Sequence, residues 1–317
     1  MTRFEKAAQV VANKCLDIKK EESILILVTE PFLEIAGYLQ KACARKTKHT
    51  FTLNLSHLSS SGTIHASIAA LMKKMNVIIA LTSPSISHTD ARRQACRAGA
   101  RIVSMPNITL STFSRIAGSH FERIGRRSRK LADVLSMAKE AKVTAPNGTE
   151  LILPISKRKG YADIGILDKP GSFTNLPAGE AAIAPDDLKT EGELVVDSGM
   201  GINQKDQDLI RITIKGGRAV RISGSPAARK LSQHLSKFGP DSRLVAEFGM
   251  GTNDNAQISG YSLEDEKVLG TIHIAIGNNV SFGGTNTVPI HLDGVVYKPT
   301  VVIDGRKIIH NGSLVLE

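Results

Sequence analysis

The sequence contains no tryptophan, and aromatic residues make up only 4% of its 317 positions. The stacking platforms on which single-stranded nucleic acids are held are therefore missing. Cysteine is scarce as well. Cys15, Cys43 and Cys96 are odd in number and far apart, which excludes a disulfide scaffold and predicts a reducing, cytoplasmic setting. No apolar run approaches the roughly 18 residues of a membrane span. The charged opening MTRFEKAAQVVANKCLDIKKEE lacks the apolar core of a secretory leader. No GxGxxG follows the first apolar run, SILILVT; TEPFLE stands there instead, so the dinucleotide fingerprint is absent.

What is present is a globular composition, 41% hydrophobic and 22% charged, in a chain long enough for two domains. The net charge of +11 is unevenly placed: residues 1–145 carry 23 Lys/Arg against 10 Asp/Glu, and the rest carry 18 against 20. Its densest stretch is Arg115–Lys130, RIAGSHFERIGRRSRK. A solvated basic helix face accounts for it. Without a zinc-finger or RNA-recognition signature, neither nucleic acid nor membrane is expected as a partner.

The first half alternates strands and helices. Ser23–Thr29, Phe51–Leu55, Val77–Leu81 and Arg101–Ser104 read as strands, with helical spacing at Pro31–Ala44, Ile64–Lys74 and Thr89–Ala98. This order predicts an α/β fold with an open, mostly parallel sheet. A helix at about 119–142 leads onward. From there KVTAPNGTELILPI and IRITIKGGRAVRISG read as strand pairs around Asn-Gly and Gly-Gly turns. One helix, from Ser225 to Gly239, precedes the strand-like LVAEFGMGTN, TIHIAIGNN, PIHLDGVVY and TVVIDG. The expected domains are a basic α/β domain over residues 1–145 and a β-rich α+β domain over 146–317.

Ionisable side chains interrupt these apolar strands at four places. Glu180 enters the uncharged run TNLPAGEAAIAP, and Glu247 ends the apolar stretch of RLVAEF. His273 alternates with Ile272 and Ile274; His291 and Asp293, two apart, point to one strand face. Burying a carboxylate without a partner costs several kcal/mol, so such positions ask for a cation. Two Glu, two His and one Asp form a ligand set for divalent ions, and five ligands suit two metals sharing a bridging carboxylate and activating a water. Gly249, Gly251, Gly283 and Gly284 read as tight turns around the site. Asn175, Asn253, Asn278 and Asn286 are candidate donors to the carboxylates. Glu264, Asp265, Glu266 and Lys267 read as a charged turn, in which Glu266 is a candidate general base.

At these residues the sequence resembles the aminopeptidase T metallo-aminopeptidases, of the PepS/AmpS type. NLPAGE, AEFGMGTN, EDEKVLGTIHIAIG and HLD carry the resemblance, together with SHTDARRQACRAGARIVSMP at 87–106. It implies a two-domain homodimer, with the metal-binding catalytic domain over 146–317, and a hydrolase in which a metal-activated water attacks the amide of a short peptide. Glu180, Glu247, His273, His291 and Asp293 would hold one or two Zn, Co or Mn ions, with Glu247 bridging. Members carry a Tyr seven residues after the first His, where this chain has Val280, with Phe282 nearby. Peptidase activity is therefore expected to be weak. A more distant similarity, to the 2,5-dihydroxypyridine 5,6-dioxygenases, implies ring opening at a single Fe(II). Their His-x-Asp would match His291 and Asp293, and their remaining His would fall at Glu247. A metal-binding homologue without peptidase activity is the third alternative.

Overall fold

The structure is a computed structural model that describes residues 1–55, 58, 63–201 and 209–315. It has two compact units: Met1–Phe121 with Ile164–Ala178, and Glu122–Asp163 with Gly179–Glu317.

The first unit is built on a parallel sheet. Its expected strands form at Ile24–Val28, Thr50–Asn54, Val77–Leu81 and Arg101–Ser104. Ile24–Val28 lies between Thr50–Asn54 and Val77–Leu81, and Arg101–Ser104 follows on the outer side. The continuous apolar runs ILILV and VIIAL are buried at every position, as a sheet covered on both faces requires. Ile24, Ile26 and Val28 enter one core cluster, while Leu25 and Leu27 enter another. Thr89 caps the helix Asp90–Arg97, accepting from the Arg92 amide, and Gly99 follows at φ 103°.

The expected boundary at residue 145 is corrected in two ways. The helix Phe121–Met137 belongs, from Glu122 on, to the second unit, because Leu131, Ala132 and Leu135 pack into that unit's core. The dense basic stretch goes with it, and Arg123 and Arg127 pair there with Asp254. Residues Ile164–Ala178 return to the first unit, where Phe173–Asn175 adds a fifth parallel strand beside Arg101–Ser104. Arg101 anchors this return: its guanidinium holds both Glu22 oxygens, at 2.6 and 2.7 Å, and donates to the Leu167 carbonyl at 2.9 Å.

The second unit contains an eight-stranded and a six-stranded antiparallel sheet. The Asn-Gly hairpin forms between Glu140–Thr144 and Glu150–Pro154; the Gly-Gly hairpin, with φ of 54° and 67° at Gly216 and Gly217, joins Ile210–Lys215 to Arg218–Gly224. Ser225 caps the helix Pro226–Ser236, whose Leu231 and Leu235 enter the core. Residues of both sheets, including Val143, Leu151, Phe248 and Ile274, share that core. Four neighbouring strands of the six-stranded sheet carry the candidate site: β1 (Glu180–Ile183), β2 (Val245–Gly251), β3 (Ile272–Gly277) and β4 (His291–Val296). Among the described residues, no helix is long and apolar enough to cross a membrane.

Candidate metal centre

Alternation decides which side chains reach the site. Ala181 and Ile183 of β1, Phe248 and Met250 of β2, and Ile272, Ile274 and Ile276 of β3 all point into the shared core. Glu180 and His273, one position out of step, therefore face the other way. Glu247 needs a device, because simple alternation would place it on the same face as Val245, which is in the core. A β-bulge supplies it: Val245 pairs with Ile276 and Glu247 with the adjacent Ala275, leaving Ala246 as the extra residue. Glu247 is thereby turned out of the apolar layer. Asp293 pairs with Ala275 from the opposite side, so Glu247 and Asp293 flank one small residue.

Glycine makes the room. A Cβ on Gly249 would lie 2.1 Å from Cε1 and Nε2 of His273, and one on Gly251 would lie 2.1 Å from the Val268 carbonyl oxygen. Both glycines stand within β2, without positive φ, so they serve close approach and not the turns expected of them. Gly283 does end a turn, at φ 82°.

All five expected ligands converge. Glu180, Glu247 and His273 form one group whose ligand atoms lie within 4.8 Å of one another; Glu247, His291 and Asp293 form a second. Glu247 is common to both, with Oε1 at 3.3 Å from His273 Nε2 and Oε2 at 3.0 Å from His291 Nε2. His273 Nε2 is 3.3 Å from Glu180 Oε2, and His291 Nε2 is 3.2 Å from Asp293 Oδ1. Asp293 keeps 22% of its side chain exposed, whereas the other four keep 8% or less. The second group is the open one.

The imidazoles are supported differently. His291 Nδ1 lies 2.7 Å from the main-chain carbonyl of Asn278, which as acceptor fixes the Nδ1–H tautomer and leaves Nε2 to the site. Asn278 thus contributes its backbone, while its side chain bonds Val288 and Val280. His273 Nδ1 is buried without a hydrogen-bond partner among the described residues.

Lys267 is the residue that sequence reasoning missed. Residues 264–267 are no solvated turn: all four are buried. Asp265 accepts from Ser198, Ser259, Gly260 and Tyr297. Lys267 Nζ lies 2.5 Å from Glu180 and 2.9 Å from Glu266. Its one signal was a lone cation closing an acidic tripeptide beside a buried strand.

The electrostatics report a site short of positive charge. Burial works against the Lys267 ammonium, but Glu180, Glu266 and Asp163 hold its pKa well above the ordinary value. Burial likewise opposes charge on His273, yet the Glu247 hydrogen bond and the Glu180, Glu247 and Glu266 charges lift it to about 9. His291 is raised against its own burial by Asp293 and Glu247. Glu266, the candidate base, is pushed up to about 8 by burial, with Asp293 and Glu180 adding to it against Lys267. Imidazoles that gather protons among carboxylates are what a metal would replace, since binding releases those protons. The donor set, mixed oxygen and imidazole nitrogen, fits a divalent ion.

Beside the open group lies an aromatic pair. The Phe282 ring stacks on His291, centroids 5.9 Å apart at 27°, and Tyr161 meets Phe282 edge-on at 6.0 Å. Both aromatics are half-buried. Val280 begins the same turn, and the ring stacked on His291 is that of Phe282, which bears no hydroxyl.

Fold and site together define a metal-associated enzyme class, and comparison with known proteins gives the family. The family model described as NicX: 2,5-dihydroxypyridine 5,6-dioxygenase matches residues 17–316, and the chain belongs to that family. A 2,5-dihydroxypyridine 5,6-dioxygenase of Pseudomonas putida KT2440 is 22% identical over 244 residues, covering 72% of this chain and 68% of that protein. Among solved structures, 2,5-dihydroxypyridine dioxygenase from the same organism matches with a TM-score of 0.84 at 17% identity, over 100% of this chain and 99% of that one. Wild-type AmpT from Thermus thermophilus matches with a TM-score of 0.72 at 14% identity, over 99% of each chain. These two likenesses are of fold. The aminopeptidase T resemblance is therefore supported as a fold relationship, and the family is the one the sequence reading placed second.

Proposed function

We propose that the protein is a metal-dependent dioxygenase that opens an electron-rich hydroxylated ring of the dihydroxypyridine type. The observation that carries this reading is the open group Glu247–His291–Asp293, in a chain matched by the dioxygenase family model over nearly its whole length. Bound there, Fe(II) would supply the redox chemistry through which dioxygen and such a ring react. The chain's own residues do the rest. The Asn278 carbonyl holds His291 in the ligating tautomer. Glu247 and Asp293 bring anionic oxygens to the same point, and partial exposure of Asp293 leaves that side approachable. Phe282 offers a planar apolar face beside it, suited to stacking a flat ring.

One observation favours a second reading, hydrolysis by a metal-activated water: Glu247 is shared by two ligand groups, as a bridging carboxylate would be. Glu266, pushed up to about 8, would then serve as the base. A homodimer goes with either reading, and light scattering on the purified protein checks it. The two chemistries separate in one experiment. Protein reconstituted anaerobically with Fe(II) is expected to consume one dioxygen per 2,5-dihydroxypyridine in an oxygen electrode. Zn-, Co- or Mn-loaded protein is expected to cleave leucyl-anilide weakly at most. Rapid leucyl-anilide turnover with no oxygen uptake would reverse the order.

A further inference from the structure

We propose that Arg158 and Asp187 form a latch that fixes the Phe282 ring beside His291, which makes Arg158 a positioning residue for a flat substrate at the open ligand group. The substrate half of this inference rests on the function proposed above; the latch rests on geometry alone.

Residues 278–290 join β3 to β4, and only Val280–Phe282 among them is regular, one short helical turn ended by Gly283 at φ 82°. A connection of this kind needs anchors to present a side chain in one place. The inner anchor is Asn279, fully buried, whose carbonyl accepts from the Phe282 and Gly284 amides at 3.0 Å and whose Oδ1 accepts from the Asn286 amide at 2.9 Å. A Cβ on Gly284 would lie 2.0 Å from Asn279 Cγ, so the chain closes directly over this side chain. The outer anchor is Arg158. Its Nε donates to the Gly283 carbonyl at 3.3 Å, its Nη1 to the Pro185 carbonyl, and its Nη2 to Asp187 Oδ2 at 2.5 Å. Through Oδ1, Asp187 accepts from Asn279 Nδ2 at 3.3 Å. Guanidinium and carboxylate thus grip both flanks of Phe282, Asn279 before it and Gly283 after it. A planar guanidinium donates in these three directions at once, which an ammonium on a single stem does not reproduce.

The latch has a fixed base. Buried Asp186 accepts from the Ser156 hydroxyl at 2.9 Å and the Lys157 amide at 3.1 Å, and its own amide donates to the Pro154 carbonyl at 2.7 Å. The segments that carry Arg158 and Asp187 are therefore tied together one residue away from the latch. The first of them meets the turn again through Tyr161, which packs edge-on against Phe282, and Phe282 stacks on His291. A partly exposed ion pair adds little to overall stability, and Asp187 is 39% exposed, so what this pair contributes is the place of the turn.

Arg158→Gln is compared with wild type by backbone amide exchange, read by mass spectrometry, and by oxygen uptake of Fe(II)-loaded protein on 2,5-dihydroxypyridine. A peptide spanning 279–286 is expected to exchange about ten-fold faster or more in the variant, with peptides from β2 and β3 unchanged. KM should rise roughly 2–10-fold, as loss of the Phe282 face would raise it, with kcat within about two-fold and bound iron unchanged. In a Phe282→Ala background the same substitution should raise KM no further. Asp187→Ala is expected to reproduce both effects, and it carries the test if Arg158→Gln does not fold. Unchanged exchange at 279–286, faster exchange spread equally over β2 and β3, an unchanged KM, or a KM effect that adds in full to that of Phe282→Ala would each overturn the proposal. Wild-type protein that neither consumes oxygen with 2,5-dihydroxypyridine nor binds it in equilibrium dialysis would overturn the proposed function instead, and the exchange comparison then decides the latch by itself.

Discussion

Gly249→Ala tests whether the floor of the site is built for the His273 ring. The added Cβ would stand 2.1 Å from Cε1 and Nε2, whereas ordinary contact begins near 3.4 Å, so the ring must retreat by more than 1 Å. Its Nε2 sits 3.3 Å from both Glu180 and Glu247, already at the long end of hydrogen bonding, and such a retreat breaks both contacts. Overpacking costs about 1–3 kcal/mol and a lost charge-assisted hydrogen bond about 1.5–3 kcal/mol, giving a destabilisation of about 2.5–6 kcal/mol. At about 2 °C per kcal/mol for a chain of this size, Tm should fall by roughly 5–12 °C. A double-mutant cycle isolates the cause. With His273→Ala in place the clash has no partner, and Gly249→Ala should cost less than about 1 kcal/mol by urea unfolding. Equal costs in both backgrounds would refute the steric account.

Three other outcomes follow from the geometry. In metal-free protein His273, raised to about 9, contributes stability that is complete below its unfolded value of 6.5 and lost as pH rises through 9; Tm should fall over that window and the slope should flatten on metal loading, which a pH series of melting curves checks. Arg101→Leu strands the Glu22 carboxylate and the Leu167 carbonyl and should cost about 2–4 kcal/mol in urea unfolding, a figure below the full buried-pair value because Glu22 is one-fifth exposed; a loss under about 0.5 kcal/mol would contradict this. Phe282→Ala removes the face stacked on His291 and should raise KM for a dihydroxypyridine roughly 2–10-fold with bound metal unchanged, as stacking of about 0.5–1.5 kcal/mol implies; an unchanged KM would remove Phe282 from the substrate surface.

The central strands of the parallel sheet were legible because they are short apolar runs bounded by turn residues. VIIAL and RIVS form where the pattern places them. Hairpins were legible for a related reason: Asn-Gly and Gly-Gly fix both the turn and the pairing it closes. Phe173–Asn175 was not, since three residues with one aromatic carry no periodicity, and their strand state comes from pairing with Arg101–Ser104 across some 70 positions of chain. The unit boundary was misread for the same cause. The apolar stripe of Phe121–Met137 shows that it packs, but not which core receives it.

At the site, residue types carried the information and register carried the rest. A His-x-Asp pair in a strand must share a face, and it does. Counting back from Phe248 turns Glu247 to the site face, whereas counting on from Val245 gives the opposite face; the bulge at Ala246 separates the two registers. Lys267 was hidden for an electrostatic reason. A run of Glu264, Asp265, Glu266 and Lys267 has the composition of a solvated turn, and its burial depends on partners distant in sequence: Ser198 and Tyr297 for Asp265, Glu180 for Lys267. Buried charges are stable only as a set, so no single member announces its place. The carboxylates could be found as the residues that do not belong in apolar strands. The cation that neutralises one of them could be found only once the strands had been brought together.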